Sequence, residues 1–178
     1  MKKFELTAEF VTNVFGKKLF RIKALVAFGN VEKGELGGFI EKEDNLSHGG
    51  NAWVSGNALV SGNARVSGNA QVSGNAWVYG NALVSGNAQV SGNALVYGNA
   101  DYAVVAGFGR YFRTTTFFRC KDKILRVQCG CFYGDLAQFR KIVKKTHGDS
   151  KYAKEYLAIA DLVELHFAEE EEKQEAAE

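Results

Sequence analysis

Residues 51–98 read NAWVSG NALVSG NARVSG NAQVSG NAWVYG NALVSG NAQVSG NALVYG, and the pattern breaks at NADYAV over 99–104. Valine recurs at 54, 60, 66, 72, 78, 84, 90 and 96 without an insertion. A period of six matches neither the 3.6-residue nor the 3.5-residue helical repeat, and it suits the stacked short strands of a parallel β-helix. In each hexad the Val, flanked by outward residues, is a minimal strand with one β-branched side chain turned inward. Gly-Asn predicts the corner, because Gly takes positive φ without penalty and Asn tolerates the left-handed region better than most residues. Ala is small enough to sit where the wall bends.

The unit Val-x-Gly-Asn-Ala-x resembles the hexapeptide-repeat family of left-handed β-helices. The resemblance implies a triangular prism with three hexads, hence 18 residues, per coil, and it is the source of the handedness. The expected fold class is mainly β: a left-handed parallel β-helix of roughly three to four coils. Its parts are N-terminal capping strands over 1–37, the prism over 38–103, a ββαα module over 104–168 and an acidic disordered tail over 169–178.

The chain has 178 residues, enough for a real core, with 20 glycines and no proline. No apolar run approaches the length of a membrane-spanning helix. The opening MKKFELTAEFVTN carries acids inside its apolar stretch, unlike a signal peptide. Three cysteines, two of them one residue apart, make no disulfide framework, and a reducing bacterial cytoplasm is the expected location. The formal charge of +2 conceals a segregation. Residues 169–178 (EEEEKQEAAE) hold six acids against Lys173, while ten basic residues face four acids over 101–150.

Apolar residues Phe4, Leu6, Phe10, Val11, Val14 and Phe15 precede a Gly16-Lys17-Lys18 turn, and residues 19–28 partly alternate. Segments 4–15 and 18–28 therefore read as a hairpin or two strands. A β-helix end exposes unpaired backbone, so a capping element is physically expected here. Ile40 and Leu46 lie six apart as degenerate hexads, but Leu46 and Val54 are eight apart, which places two inserted residues around 47–50. The string Gly-Gly-Phe-Ile followed by Asn-Leu-Ser and hexads, spanning about 20–100 in all, resembles bacterial and phage hexapeptide-repeat proteins, some labelled acyltransferases.

Stacking positions 18 apart sorts the outward residues into three faces. One reads Trp53/Ser55, Gln71/Ser73, Gln89/Ser91; a second reads Arg65/Ser67, Leu83/Ser85, Asp101/Ala103. The third reads Leu59/Ser61, Trp77/Tyr79, Leu95/Tyr97 and alone is apolar and aromatic in every coil. A contiguous apolar face marks a contact. Leu59, Trp77, Tyr79, Leu95 and Tyr97 are therefore the candidate interface, covered by the chain's own C-terminal segment, by another subunit or by a stacked ligand. The family resemblance implies a homo-oligomer, with a trimer favoured.

The acyltransferase resemblance implies a His general base at a subunit boundary and acetyl-CoA as substrate. The hexads hold no His, no carboxylate and no loop, which leaves His48 in the inserted turn as the one catalytic candidate.

Beyond Asp101 the composition changes. Phe108 to Cys120, with three consecutive threonines, predicts a strand, and 124–129 predicts its return after a turn. Asp135 is a natural N-cap for a helix over about 136–146, closed by Gly148. Ser150 starts a second helix over about 151–168, with Tyr152, Tyr156, Ile159, Ala160, Val163 and Phe167 as its stripe. This region resembles a module of phage and prophage proteins to which no chemistry is attached. Arg110, Arg113, Thr114, Thr116 and Arg119 form a candidate anion site, since arginine forks suit phosphates, although alternate residues of a strand face opposite ways. Cys129 and Cys131 with Cys120 and His147 lack the spacing of a zinc site, so no metal is expected.

No triad, phosphate loop, acid pair or cofactor motif is present in the sequence. The expected function is that of a non-catalytic phage-type binding protein, an oligomeric scaffold presenting a surface to a nucleotide-like anionic ligand or a host protein. The phage resemblance implies interference with a host defence. Neither a membrane nor duplex DNA is an expected partner, and the alternatives are an acyltransferase and a virion component.

Overall fold

A computed structural model describes the backbone of residues 1–175 and the side chains of residues 1–168. The disordered tail expected over 169–178 falls outside the residues whose side chains are described. The chain forms two compact units, residues 1–99 and the part from Ala100 onward.

In the first unit, β1 (Phe4–Thr12) and β2 (Lys18–Ala24) make an antiparallel hairpin, and β2 pairs antiparallel with β3 (Leu36–Ile40). The hexads then supply two-residue strands, each ending on its valine: β4 (Trp53–Val54), β5 (Leu59–Val60), β6 (Arg65–Val66), β7 (Gln71–Val72), β8 (Trp77–Val78), β9 (Leu83–Val84), β10 (Gln89–Val90) and β11 (Leu95–Val96). These strands stack in parallel with a spacing of 18 residues and form three sheets. One is β4-β7-β10, a second is β6-β9, and the third is the six-stranded β1-β2-β3-β5-β8-β11. This unit is thus a β-solenoid of about three coils, entered through an antiparallel hairpin that continues one wall.

The hexad chemistry explains the wall. Each Val and each Ala of the hexads is fully buried, so the interior alternates a branched and a minimal side chain. At the corners the glycines from Gly56 to Gly92 take φ between 63° and 70°. They also stack closely: a Cβ on Gly74 would lie 2.9 Å from the Gly92 nitrogen. Asn does not share the left-handed conformation, since Phe112 and Lys123 are the non-glycine residues found at positive φ. Its part is instead a side-chain ladder, with Asn57 donating to Asn75 at 3.3 Å, Asn63 to Asn81 at 3.2 Å and Asn69 to Asn87 at 3.1 Å.

The coil entrance departs from the 18-residue spacing. Ile40 pairs with Val60 and Leu46 bridges to Val66, offsets of 20 that place two extra residues before Gly50 falls back into line with Gly68. At the other end, a short 3-10 turn over Asn99–Asp101 replaces the next hexad, so Asp101 is not a third rung of the second face.

The second unit is an antiparallel sheet in the order β12 (Tyr102–Phe108), β13 (Arg113–Arg119), β14 (Leu125–Cys129), β15 (Phe132–Asp135), followed by α1 (Leu136–His147) and α2 (Lys151–Glu175). Two strands are added to the predicted pair. Gly109 at φ 72° breaks what reads in sequence as one strand, and 102–108 pairs beside 113–118. Asp135 caps α1 as expected: its Oδ1 accepts from the Gln138 N–H at 2.7 Å, and Gln138 Oε1 accepts from the Asp135 N–H at 3.0 Å. Phe117, Val127, Phe139, Val143, Tyr156, Ile159, Val163 and Phe167 close one core between sheet and helices. Tyr152, expected in that stripe, is instead 37% exposed.

Candidate functional site

His48 sits in the inserted turn, and the N-terminal strand holds it there. Its ring stacks on Phe4 at 4.3 Å, and its Nδ1 accepts the Lys3 backbone N–H at 3.2 Å. Beside it the Lys3 ammonium donates to the carbonyls of Ala52 at 2.8 Å and Gly50 at 3.3 Å and lies 4.6 Å from the Phe28 ring centre. Burial brings this ammonium down from 10.5 to about 8. Together these contacts fasten β1 to the first coil.

That bonding bears on catalysis. A neutral imidazole has one donor and one acceptor nitrogen. With Nδ1 accepting from a main-chain N–H, the other nitrogen carries the proton and has no lone pair with which to take another. His48 nevertheless borders an open cleft of about 530 Å³ on the second face, together with Glu43, Asp44, Arg65, Ser67 and Leu83. Glu43 is committed to Lys2 at 2.5 Å, a bond that helps hold its carboxyl below the usual range. The cleft offers hydrogen-bond donors, one guanidinium and the carboxylates of Glu43 and Asp44.

The third face carries the interface candidates in the expected register. Leu59, Trp77 and Leu95 are direct neighbours on β5, β8 and β11. Tyr79 and Tyr97 meet edge to face at 5.1 Å. A cover that sequence reasoning did not foresee comes from the β1–β2 turn, where Phe15 approaches Tyr79 at 6.2 Å. Asn13, Phe15, Leu59, Ser61, Trp77 and Tyr79 enclose a hollow of about 10 Å³, room for no more than one water. The turn shields the Trp77 end of the face. Its own Val14 and Phe15 stay 73% and 66% exposed, and Tyr97 stays 56% exposed.

The five anion-site candidates do not converge. Arg119 lies at the far end of β13, where its Nη2 donates to the Phe167 carbonyl at 2.6 Å and Asp101 stands at 3.8 Å. Thr116 is buried and Thr114 half-buried, on the strand face opposite Arg113. Arg110 and Arg113 do come together. Their guanidinium carbons lie 5.5 Å and 5.1 Å from the centre of the Tyr111 ring, in the exposed turn over 109–112. The turn's base is fixed: Glu155 accepts from the Gly109 N–H at 2.9 Å, and the Tyr156 hydroxyl occupies the space where a Gly109 side chain would go. Burial pushes that phenol up to about 12.

The cysteines are dispersed. Cys120 is buried at one end of the sheet, Cys129 at the other accepts from the Thr115 hydroxyl at 3.2 Å, and Cys131 is exposed. Among the described residues no cluster of three His, Cys, Asp or Glu side chains is placed to hold a metal ion. No helix among them is long and apolar enough to cross a membrane.

Fold and repeat chemistry together define a β-solenoid repeat protein. Five overlapping stretches, residues 52–68, 60–74, 70–86, 76–90 and 88–100, match the family model described as the YdcK beta solenoid repeat. The hexads are therefore similar to the repeats of that family. No curated protein matches the chain.

Proposed function

We propose that the protein is a non-catalytic binding protein in which the solenoid is a rigid scaffold and its aromatic face a contact surface between subunits, with a trimer favoured. The observation that carries this reading is the placement of two substitutions. Six of the eight hexads have Ser after the Val, and the two that have Tyr, at 79 and 97, both lie on the third face. Exposed Tyr97, Val14 and Phe15 extend that face with apolar area of the kind that associates. On the resemblance to phage proteins, the assembly would counter a host defence by capturing a nucleotide signal or blocking a host protein.

Sedimentation velocity tests the contact surface. The native chain is expected to sediment as an oligomer, and the double variant Tyr79→Ser/Tyr97→Ser as a monomer with unchanged circular dichroism. A native chain that is monomeric at tens of micromolar would refute it.

A further inference from the structure

We propose that the turn between β12 and β13 is a binding site for single-stranded nucleotide units, in which Tyr111 and Phe112 stack on bases and Arg110 and Arg113 hold the phosphates. This assignment rests on the binding-protein reading above and names the ligand chemistry of a second surface.

Four observations meet in this turn. Phe112 holds φ 52°, a conformation that suits Gly or Asn, yet it is a Phe with 72% of its surface exposed. It neither fits the turn nor packs in a core, and backbone strain of this kind concentrates where a residue must be displayed. Tyr111 beside it is 63% exposed, and Phe108 at the end of β12 is 44% exposed. Two guanidinium groups lie near the Tyr111 ring, their carbons 5.5 Å and 5.1 Å from its centre, and no carboxylate among the described residues is paired with either. Finally, the turn is anchored through Gly109 to Glu155 and Tyr156, so its display is preorganised rather than floppy.

The chemistry favours a nucleotide. Forked arginine donors match phosphate oxygens, and every base offers a flat face to an aromatic ring. Two arginines and two rings within four residues suit more than one nucleotide unit. Two Phe and one Tyr bury too little hydrocarbon for a membrane to retain the chain by insertion. A free nucleotide and a strand share this chemistry, so the experiment separates them.

The test is fluorescence anisotropy of the full chain with labelled oligo-dT and oligo-rU of about 12 nucleotides, near the site size of small single-strand binders. Saturable binding is expected, weakening with salt at a logarithmic slope of about −1.4 for two phosphate contacts. Tyr111→Ser and Phe112→Gly should each weaken it at least about fivefold, the lower end of what one stacked base contributes. Phe112→Gly relieves the left-handed strain, so its melting temperature should hold or rise while binding falls, an outcome that separates display from structure. Arg110→Gln with Arg113→Gln should flatten the salt slope. Displacement by a mononucleotide at similar concentration would assign the site to a free nucleotide and support the shared chemistry. Absence of saturable binding by both strand and mononucleotide overturns the proposal, as does binding undiminished in the variants. Binding to phosphatidylserine vesicles in place of oligonucleotide overturns it too. Failure here with the oligomer intact would leave the scaffold reading standing, whereas loss of the oligomer in Tyr79→Ser/Tyr97→Ser says nothing about this turn.

Discussion

Replacing Trp53 with Ala is expected to cost about 3–5 kcal/mol of unfolding free energy, the range for deleting a buried aromatic side chain. Trp53 is 2% exposed, although it stands on a wall whose other rungs, Gln71 and Gln89, are polar. Phe28 meets its ring edge to face at 5.4 Å, and the ring lies so near Gly37 that a Cβ there would fall 2.7 Å from its Cζ2. The indole therefore joins the N-terminal element to the first coil. Its Nε1 is buried without a hydrogen-bond partner, a liability of about 1–3 kcal/mol. Trp53→Phe removes that donor but also part of the ring that reaches Gly37, so it should lose stability, though less than the Ala variant. Chemical denaturation of the pair gives the answer. If the Ala variant lost less than about 1 kcal/mol, the junction would not be packed as described.

Gly50→Ala is the second large effect, expected to cost about 2–4 kcal/mol. A Cβ at Gly50 would sit 2.3 Å from the Gly68 carbonyl oxygen, a main-chain atom with no freedom to yield. Left-handed strain at φ 66° adds about 1–2 kcal/mol to the overpacking. Gly86→Ala is the internal control. It has nearly the same φ of 66° but open space where the Cβ would go, so only the strain remains. Equal losses in the two variants would mean that conformation alone, not the close stacking of corners, demands glycine.

The parts of this molecule legible in its sequence are those governed by strict local rules. An 18-residue spacing sorted Leu59, Trp77 and Leu95 onto one sheet because an uninterrupted period leaves a parallel register no freedom. The two-residue insertion could be counted from Leu46 to Val54 for the same reason. Asp135 announced α1 because capping is a property of four consecutive residues. What depends on distant partners was not legible. Trp53 reads as an outward residue until Phe28 and Gly37 are seen to cover it. Phe15 reads as a strand residue until the turn brings it to Tyr79. The anion candidates read in sequence as one strand, whereas Gly109 breaks that strand and leaves Arg110 and Arg113 together with Arg119 at the far end. His48 is legible as an imidazole in the inserted turn, but its role depends on which group its Nδ1 faces, and spacing carries no information about that.

The claim that the solenoid is a scaffold rather than a site of chemistry is tested most directly by calorimetric titration with acetyl-CoA, on the native chain and on His48→Ala. The expected result is no saturable heat from either protein, because the hexads hold no base and the His48 acceptor nitrogen is taken by the Lys3 N–H. Saturable binding by the native chain that disappears in His48→Ala would contradict it.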